Sequence, residues 1–343
     1  MYYLPTSIIL IGYSIATLIY ITLNWKEKIK EGLVANEITI AMLFLISGIL
    51  FPFMYQFHQT SIPLETLNFL WLSTSIIFLF EMGIWFTTLI YNTIISKKHP
   101  NVMAERDYEK YCEDFNKNWT DDLKSEVSRK MLHLFTCSVI FLCWSLGTIL
   151  DSFNILINFD LNNYSFSYWL IVTIGFTFVF MFQIADLARL NKFYMLPNWA
   201  RKWFLSMRQE ELHTFLASTP LVLAFVPFIF APFPIFAVVA LITTGADGMA
   251  CVIGKKYGKH QLWKNSKKTI EGFIAGGVST FLIVIIILNI YNGWMPVSIA
   301  KIFLMALVAM IIFLSIDMFG KYISDNILNP ILTGFGIWLI YLL

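Results

Sequence analysis

The chain is poor in charged residues: Lys, Arg, Asp and Glu make up only 13% of its 343 residues, whereas 58% are apolar. An ordinary soluble domain is about a quarter charged and about half apolar. This shortage of charge argues against a soluble globular protein. With a formal net charge of +2, the chain gives no reason to expect a nucleic-acid partner.

Cysteine is also scarce, and the four residues Cys112, Cys137, Cys143 and Cys251 show no metal-binding spacing. All four fall in segments that we assign to the membrane or the cytoplasm, so we expect no disulfide framework. The N-terminus lacks a basic region and a small-residue cleavage site. We therefore interpret the first apolar window as a retained anchor and not as a signal peptide.

Long apolar windows are what the sequence has in abundance. Windows of roughly 20 apolar residues match the thickness of a bilayer, and in lipid such segments must pair their backbone groups internally as helices. The sequence therefore predicts an all-α polytopic membrane protein with about ten transmembrane helices. The predicted spans are about 5–24, 38–57, 67–95, 131–150, 167–186, 213–229, 232–250, 272–290, 298–316 and 325–343.

The basic residues alternate between the predicted loops. Of the 24 lysines and arginines, 23 lie in every second loop, and Lys301 is the exception. Because cytoplasmic loops carry an excess of Lys and Arg, the basic loops are placed in the cytoplasm and both termini outside or in a lumen. The segment 96–128 is the longest polar stretch. We therefore divide the chain into an N-terminal three-helix segment (1–95), a cytoplasmic linker (96–128) and a seven-helix catalytic membrane domain (129–343).

The acids and bases of the spans collect at the ends that we place in the cytoplasm. A charge in mid-bilayer costs at least ~2.5–3.5 kcal/mol, so this one-sided layer requires a reason. Carboxylates suit Mg²⁺, and lysines neutralise phosphate oxygens. An apolar partner would enter from the lipid side, so the pattern favours phosphoryl or nucleotidyl transfer to a lipid. A transporter, the alternative from another class, usually holds its substrate near the midplane and often shows inverted repeats, and no repeat is evident here.

The loop between Ile253 and Gly277 combines glycines and lysines but is not a P-loop, because GKKYGKH has the wrong spacing and no Ser or Thr after Lys. Ser266 or Thr269 is expected to cap a helix from about Ile270. Lys267, Lys268 and Glu271 would then cluster at a helix start, facing Asp247. The simpler interpretation is that the lysines mark topology and that Ala246, Ala250, Gly254 and Gly258 pack one helix on another.

Four stretches resemble the CTP-using membrane lipid kinases, the family that includes dolichol kinase, phytol kinase and yeast-type diacylglycerol kinase. The main one is D-G-M-A-x-x-x-G-x-x-x-G-K-H-x-L followed by S-K-K-T-I-E-G, from Asp247 to Gly272. The others are SEVSRKMLHLFT, DLARLN with MRQEE, and SIDMFGKYISDNILNP. The resemblance covers about 125–343 and leaves the first three predicted spans unexplained.

The C-terminal stretch separates two branches that share K-K-T-x-E-G. A bacterial-type CDP-diacylglycerol synthase would be expected to end in H-G-G-x-x-D-R-x-D, whereas this chain reads SDNILNPILTGFG. The resemblance therefore implies a lipid alcohol kinase. The chain departs from the usual pattern in having Asp317 where the family commonly has Glu, and in the residues before Pro330.

The resemblance implies CTP as phosphoryl donor, Mg²⁺ as cofactor and a membrane polyprenol of dolichol type as acceptor. Phytol, geranylgeraniol or diacylglycerol as acceptor, and CDP-diacylglycerol synthesis, remain alternatives. The membrane would be the endoplasmic reticulum in a eukaryote or the plasma membrane in an archaeon, with the site on its cytoplasmic side.

Residue roles follow as predictions. The catalytic candidates are Asp247, Lys267, Lys268, Glu271 and Asp325, the last as base. The nucleotide-binding candidates are Gly254, Lys255, Gly258, Lys259, Lys267, Lys268, Thr269, Arg129, Lys130 and Arg208. The metal candidates are Asp247, Glu271 and Asp317. The remaining residues that match family motifs are His133, Asp186, Arg189, Glu211 and Asn326.

Overall fold

The computed structural model describes residues 1–120, 123–264, 266, 268–320 and 322–343. It is 82% helical, and its described residues contain no strand, which confirms the all-α prediction. The α-helices are α1 Leu4–Leu23, α2 Trp25–Glu31, α3 Val34–Leu50, α4 Leu64–Lys98, α5 Pro100–Glu105, α6 Tyr108–Asn118, α7 Leu123–Ser152, α8 Asn163–Lys192, α9 Asn198–Arg201, α10 Ser218–Ala224, α11 Phe233–Leu241, α12 Asp247–Tyr257, α13 Ile270–Ile290, α14 Ile299–Phe319, α15 Asp325–Leu328 and α16 Gly334–Leu342.

Eight helical segments of the described chain are long and apolar enough to cross a membrane. They correspond to eight of the ten predicted spans, so the protein is a multi-pass membrane protein. The eight segments are Leu4–Leu23, Val34–Phe53, Leu64–Lys98, Glu126–Ser152, Asn163–Met195, Phe233–Tyr257, Ile270–Ile290 and Ile299–Phe319.

The two remaining windows form short or irregular helices, and both contain proline. Proline has no N–H group and clashes with the preceding helical turn, so it ends or distorts a helix. In the window 213–229, Pro220 and Pro227 leave only the short helical segment Ser218–Phe230. In the window 325–343, Pro330 lies in a π-helical turn, Asn329–Thr333, between the short helices α15 and α16.

The described chain divides into two compact units. The first unit is Met1–Thr120 with Leu146–Leu223, and the second is Asp121–Ser145 with Ala224–Leu343. This division differs from the predicted 1–95, 96–128 and 129–343, because α8 packs with the N-terminal spans. Tyr13 of α1, for example, stacks between Phe44 of α3 and Phe180 of α8, with ring centroids 5.5 and 5.3 Å apart.

In the second unit, α12 and α13 form an antiparallel hairpin with very close backbones. A Cβ atom on Gly272 would lie 2.9 Å from Gly254 Cα, and one on Gly276 would lie 2.9 Å from Ala250 Cβ. Small residues let membrane helices approach closely, and van der Waals packing then stabilises the contact. The pairing of 254 with 272 and of 250 with 276 fixes the register of this hairpin.

Two π-helical turns of the second unit, Ile242–Ala246 and Asn329–Thr333, pack against each other. The first joins α11 to α12 and immediately precedes Asp247, whereas the second follows the short helix that Asp325 begins. Single π turns inside α-helices occur frequently at functional sites, because they redirect side chains and free backbone groups. The backbone alone therefore indicates that the region around Asp247 and Asp325 is a candidate functional site.

Candidate functional site

The charged ends of α7 and α12 form a cluster in the second unit, which we call the α7–α12 cluster: Glu126, Arg129, Lys130, His133, Asp247 and Lys255. The α7 members are spaced three or four residues apart and therefore share one helix face. Those of α12 lie at 247 and 255, two turns apart. Lys130 Nζ donates to Asp247 Oδ2, and Arg129 forms an ion pair with Glu126 one turn earlier.

The cluster continues along α12 in antiparallel order. Glu126 accepts a 3.5 Å hydrogen bond from Cys251 Sγ and lies 4.0 Å from Lys255 Nζ. Both long basic side chains of α7 are buried, since Arg129 and Lys130 have residual exposures of 6% and 7%. Guanidinium and ammonium groups held close together within an apolar bundle are a chemistry suited to phosphate oxygens.

His133 lies one turn beyond Lys130 and is only 4% exposed. Its Nδ1 atom is buried without a hydrogen-bond partner among the described residues. The charges of Lys130, Asp247, Arg129 and Asp325 all lie close enough to act on its ring. Because buried polar atoms are almost always paired, this nitrogen marks a place where a polar group of another molecule would be accommodated. A lone histidine at such a position is more often a structural residue whose ring nitrogens are hydrogen-bonded within the protein. The Nδ1 of His133, unpartnered within the described chain, does not support that interpretation.

The loop between α12 and α13 carries a second set of predicted residues. Lys268 Nζ donates to the carboxylate and to the backbone carbonyl of Asp317, each at 2.6 Å. His260 Nδ1 lies 2.7 Å from Glu271 Oε1. The structure thus pairs the predicted phosphate ligand Lys268 with the predicted metal ligand Asp317. Lys267 lies outside the described residues.

Thr269 caps α13, because its hydroxyl accepts a hydrogen bond from the backbone N–H of Gly272 at 3.2 Å. This confirms one of the two predicted caps. The predicted nucleotide ligands Gly254 and Gly258 face that threonine: a Cβ on Gly254 would lie 3.1 Å from Thr269 Oγ1, and one on Gly258 2.5 Å from Thr269 Cγ2. These glycines serve the close packing of the hairpin. Lys259 is exposed.

The hairpin register separates Asp247 from Glu271, which were predicted to face each other. Position 271 pairs with position 255, so the two acids differ by eight residues along the helix axis, or roughly 12 Å at 1.5 Å per residue. Among the described residues, no group of three or more His, Cys, Asp or Glu side chains is placed to hold a metal ion. The acids predicted as metal ligands are paired with bases instead, so the described chain does not fit a resident metal centre.

Asp325 and Asn326 begin α15, behind the cap residue Ser324. The Ser324 hydroxyl accepts from the backbone N–H of Asn326 at 3.2 Å and donates to Asp325 Oδ1 at 3.5 Å. Asn326 is buried, with 3% exposure, and forms part of this turn. Asp325 is the member of the pair that acts on the charge of His133.

Two motif residues of the first unit, Asp186 and Arg189, form a different structure together with Lys28, Glu37 and Tyr108, which we call the Arg189 cluster. Arg189 is paired with Asp186 at 2.8 Å, and both side chains are 0% exposed. Arg189 also donates to three backbone carbonyls, those of Glu211, Leu212 and Thr214, at 3.1, 2.9 and 2.6 Å. All the donors of Arg189 thus have partners within the protein. Arg189 is therefore not available to bind phosphate.

The Arg189 cluster fixes the segment 208–217. Asp186 Oδ2 accepts from the N–H of Leu216 at 2.7 Å. The carboxylate of Glu211 accepts from the N–H groups of Arg208 and Ala217, at 2.7 and 3.0 Å. This loop is held in its conformation by the side chains of Asp186, Arg189 and Glu211. The sequence had predicted these three only as residues that match family motifs. Arg208, predicted to bind nucleotide, joins this loop through its backbone.

The short helix α2 and the second span also contribute to this loop, a contact that sequence reasoning missed. Lys28 pairs with Glu37 at 2.7 Å and also donates to the carbonyl of His213. Glu37 accepts from the Thr214 hydroxyl at 2.9 Å. Glu37, a single acid near the start of the second apolar window, could have indicated this contact from the sequence, because a carboxylate within a membrane needs a partner.

Tyr108 and Glu126 were also missed. The Tyr108 hydroxyl accepts from Arg189 at 3.0 Å and donates to the carbonyl of Leu212, and burial raises the pKa of this phenol above its usual value. Glu126 stands three and four residues before Arg129 and Lys130, the spacing at which opposite charges pair on a helix. That spacing was visible in the sequence and would have identified Glu126.

Comparison with known proteins gives one match. A family model described as "Cytidylyltransferase family" matches residues 110–321, which include the α7–α12 cluster and Asp317 but not Asp325. No curated protein and no solved structure matches the chain.

Proposed function

Because the chain belongs to the cytidylyltransferase family, we propose that it is a membrane kinase that transfers the γ-phosphoryl group of CTP to the hydroxyl group of a polyprenol. The family and the eight apolar helices fit a CTP-dependent enzyme that acts on lipids within a membrane. The nature of the transferred group and of the acceptor is the part that we propose here.

The observation that carries this proposal is the α7–α12 cluster. Arg129 and Lys130 are buried beside carboxylates, and the Nδ1 atom of His133 next to them has no partner among the described residues. Phosphoryl transfer needs positioning and neutralisation of phosphate charge more than covalent chemistry from the protein. Cations grouped beside a buried nitrogen that has no partner among the described residues suit both requirements.

We assign the phosphate groups of CTP to Arg129, Lys130 and Lys255 of the cluster. Arg129 and Lys130, next to His133, are assigned to its γ-phosphate, and Lys268 and Lys259, near the α13 start, to its inner phosphates. Lys130 and Lys268 would exchange their carboxylate partners, Asp247 and Asp317, for phosphate oxygens of higher charge. Charge-assisted hydrogen bonds of this type are roughly twice as strong as neutral ones. Lys267 keeps its predicted phosphate role as part of this proposal.

Magnesium is proposed to enter with CTP and not as a resident ion. Mg²⁺ keeps several waters and is commonly bound through one or two carboxylates together with substrate phosphates. Asp247 is the carboxylate of the cluster that suits this role, and Asp317 is the candidate beside Lys268. Glu271, which pairs with His260, is the weakest of the three predicted metal ligands.

The acceptor hydroxyl is proposed to donate a hydrogen bond to His133 Nδ1. The lipid oxygen then forms the new bond to the γ-phosphorus, the bond between this phosphorus and the CDP oxygen breaks, and the hydroxyl proton leaves towards His133 or the neighbouring Asp325. The reaction yields a lipid phosphate and CDP. A general base must lie within hydrogen-bond reach of the proton that it takes, a requirement that His133 would satisfy in this pose.

A polyprenol is favoured over other lipid alcohols by the R-K-x-x-H spacing from Arg129 to His133 and by the D-N pair at 325–326. The same C-terminal stretch favours kinase over CDP-diacylglycerol synthase, because it lacks the ending expected for the synthase. We place the site on the cytoplasmic side because the cluster lies with the lysine-rich loops.

The experiment is a lipid phosphorylation assay on the purified protein in detergent, with γ-labelled CTP and Mg²⁺. Polyprenol, phytol, geranylgeraniol and diacylglycerol are offered in parallel, and ATP replaces CTP in a matched set. We expect label in polyprenyl phosphate with CTP. Label in another lipid would change the acceptor, whereas absence of label from every lipid would overturn the kinase and favour a synthase or a transporter.

A further inference from the structure

A second arrangement of basic groups lies in the first unit, outside the site described above. Arg106 follows α5, and Arg201 ends the short helix α9. Both guanidinium groups donate to the same acceptor, the side-chain oxygen of Asn198: Arg106 Nη2 at 3.5 Å, and Arg201 Nη2 in a shorter contact. Two like charges thus converge on one neutral amide.

Arg106 is held in place by neutral acceptors only. Its Nη1 donates to Asn92 Oδ1 at 3.0 Å, to Ser96 Oγ at 2.9 Å and to the carbonyl of Tyr194 at 3.2 Å. Asn92 and Ser96 stand one turn apart near the end of α4, so a rigid helix positions the guanidinium. None of these three acceptors carries a negative charge that would neutralise the guanidinium.

Arg201 is less completely satisfied. Its guanidinium lies over the ring of Phe193 at 5.7 Å, and its Nε is buried with no hydrogen-bond partner among the described residues. Burial lowers the pKa of both arginines, and the neighbouring Arg106 charge lowers that of Arg201 further. Glu105 acts on both charges, but the described structure shows no ion pair between it and either arginine.

The surroundings indicate the depth of the pair relative to a bilayer. Trp85, Trp199 and Trp203 pack together with centroid distances of 5.0 to 5.9 Å. Trp199 is 50% exposed, and indole rings of membrane proteins collect at the level of the lipid headgroups. Four lysines adjoin the contact points in sequence, namely Lys97, Lys98, Lys192 and Lys202.

We propose that Arg106 and Arg201 form a binding site for the phosphate of an anionic membrane lipid. Guanidinium groups present paired donors that match phosphate oxygens, and a shared anion converts the repulsion of two cations into attraction for one ligand. The free Nε of Arg201 supplies a donor that no described protein group uses. Basic groups near a membrane surface attract anionic headgroups, so lipid is the source that this location favours.

The test measures the thermal stability of the purified full-length protein in detergent while phosphatidylglycerol is titrated. Phosphatidylcholine and inorganic phosphate are titrated in parallel arms. The variant pair Arg106→Gln with Arg201→Gln removes the site, whereas Lys97→Gln with Lys98→Gln removes two equal charges nearby and serves as the matched control. Arg201→Lys keeps the charge but loses Nε and the planar guanidinium group. This single variant leaves the contacts of Arg106 intact, so it tests the site even if the double variant fails to fold.

We expect phosphatidylglycerol to stabilise the wild-type protein at lower concentration than phosphatidylcholine. The arginine double variant and Arg201→Lys should each raise the phosphatidylglycerol midpoint by about tenfold or more, and the lysine control by much less. Equal effects of the arginine and lysine pairs would show attraction by diffuse charge and overturn the site. Stabilisation by inorganic phosphate equal to that by phosphatidylglycerol would overturn the lipid as its ligand.

Discussion

The Arg189 cluster and the α7–α12 cluster are built from the same kinds of side chain, but they differ in how completely those side chains are satisfied. The side chains of Asp186 and Arg189 are 0% exposed. The arginine donates hydrogen bonds to an acid, a phenol and three backbone carbonyls. In the α7–α12 cluster, 16% of the Asp247 side chain is accessible, and the Nδ1 atom of His133 has no hydrogen-bond partner among the described residues.

This difference teaches how to separate structural from reactive charge in a membrane protein. A buried ion pair whose hydrogen bonds are all internal holds a loop in place and offers nothing to a ligand. A cluster in which a buried polar atom has no partner among the described residues is less favourable until another group supplies one, and such a cluster can bind a ligand. Sequence motifs mark both clusters, and only their hydrogen bonds distinguish them.

The largest effect is expected from breaking the saturated pair. Arg189→Met leaves the Asp186 carboxylate buried without its partner, and removing one member of a buried pair costs about 3–5 kcal/mol. The thermal transition of the detergent-purified protein should fall steeply, and the yield of folded protein with it.

Lys192→Met is the matched control, because Lys192 ends the same helix, α8, and is exposed. Its stability should stay close to that of the wild type. A thermal transition of Arg189→Met equal to that of this control would contradict the structural role of the Arg189 cluster.

The second effect is on activity. Lys130→Met and Asp247→Asn should each lower kcat/KM for CTP by about 100-fold or more, equivalent to about 2.7 kcal/mol of transition-state stabilisation. Because the Lys130 side chain is 8% and the Asp247 side chain 16% exposed, each variant should also lose some stability, but less than Arg189→Met, whose partner Asp186 is 0% exposed. Activity and thermal transition are measured on the same preparation, and full activity of either variant would remove the cluster from the mechanism.

A smaller effect is expected at His133, where two variants distinguish positioning from packing. His133→Asn keeps an acceptor near the place of Nδ1, whereas His133→Leu keeps bulk and removes the acceptor. His133→Leu should raise KM for the lipid acceptor by about tenfold, the equivalent of one hydrogen bond of about 1.4 kcal/mol.

His133→Asn should recover most of that loss, and KM for CTP should change little in either protein. Equal losses in the Leu and Asn variants, or a loss in CTP affinity alone, would argue against contact with the acceptor hydroxyl.

The smallest effect on stability is expected at Lys268 and Asp317, whose side chains are 43% and 23% exposed. Exposed ion pairs contribute about 0–1 kcal/mol, so Lys268→Met should leave the thermal transition nearly unchanged. KM for CTP should still rise severalfold if this lysine transfers to phosphate. An unchanged KM would make the pair a loop contact only.

Much of the fold was predictable from composition, because membrane-spanning helices can be recognised by their length and apolar content. Eight of the ten spans and the cap at Thr269 followed from such local signals. The irregular helices within the windows 213–229 and 325–343 could not be predicted from hydropathy, which gives no weight to the prolines at 220, 227 and 330. The grouping of α8 with the first spans depends on contacts between distant segments, such as Tyr13 with Phe180.

The candidate site was predictable as a set of residue types but not as a set of pairs. Lys130 and Asp247 stand 117 positions apart, and no local pattern indicates that they meet. The prediction that Glu271 faces Asp247 failed because the register of α12 against α13 is set by glycine contacts at 254, 272 and 276. The spacing of those glycines was visible, but their pairing was not.

The most direct test of the proposed reaction follows the label of CTP into the products. Purified protein receives CTP labelled either at the α- or at the γ-phosphate, with polyprenol or phosphatidic acid as acceptor. We predict that γ-label alone enters polyprenyl phosphate and that α-label remains in CDP. Transfer of α-label into lipid with release of pyrophosphate would show cytidylyl transfer, the reaction for which the matched family is named, and would contradict the kinase.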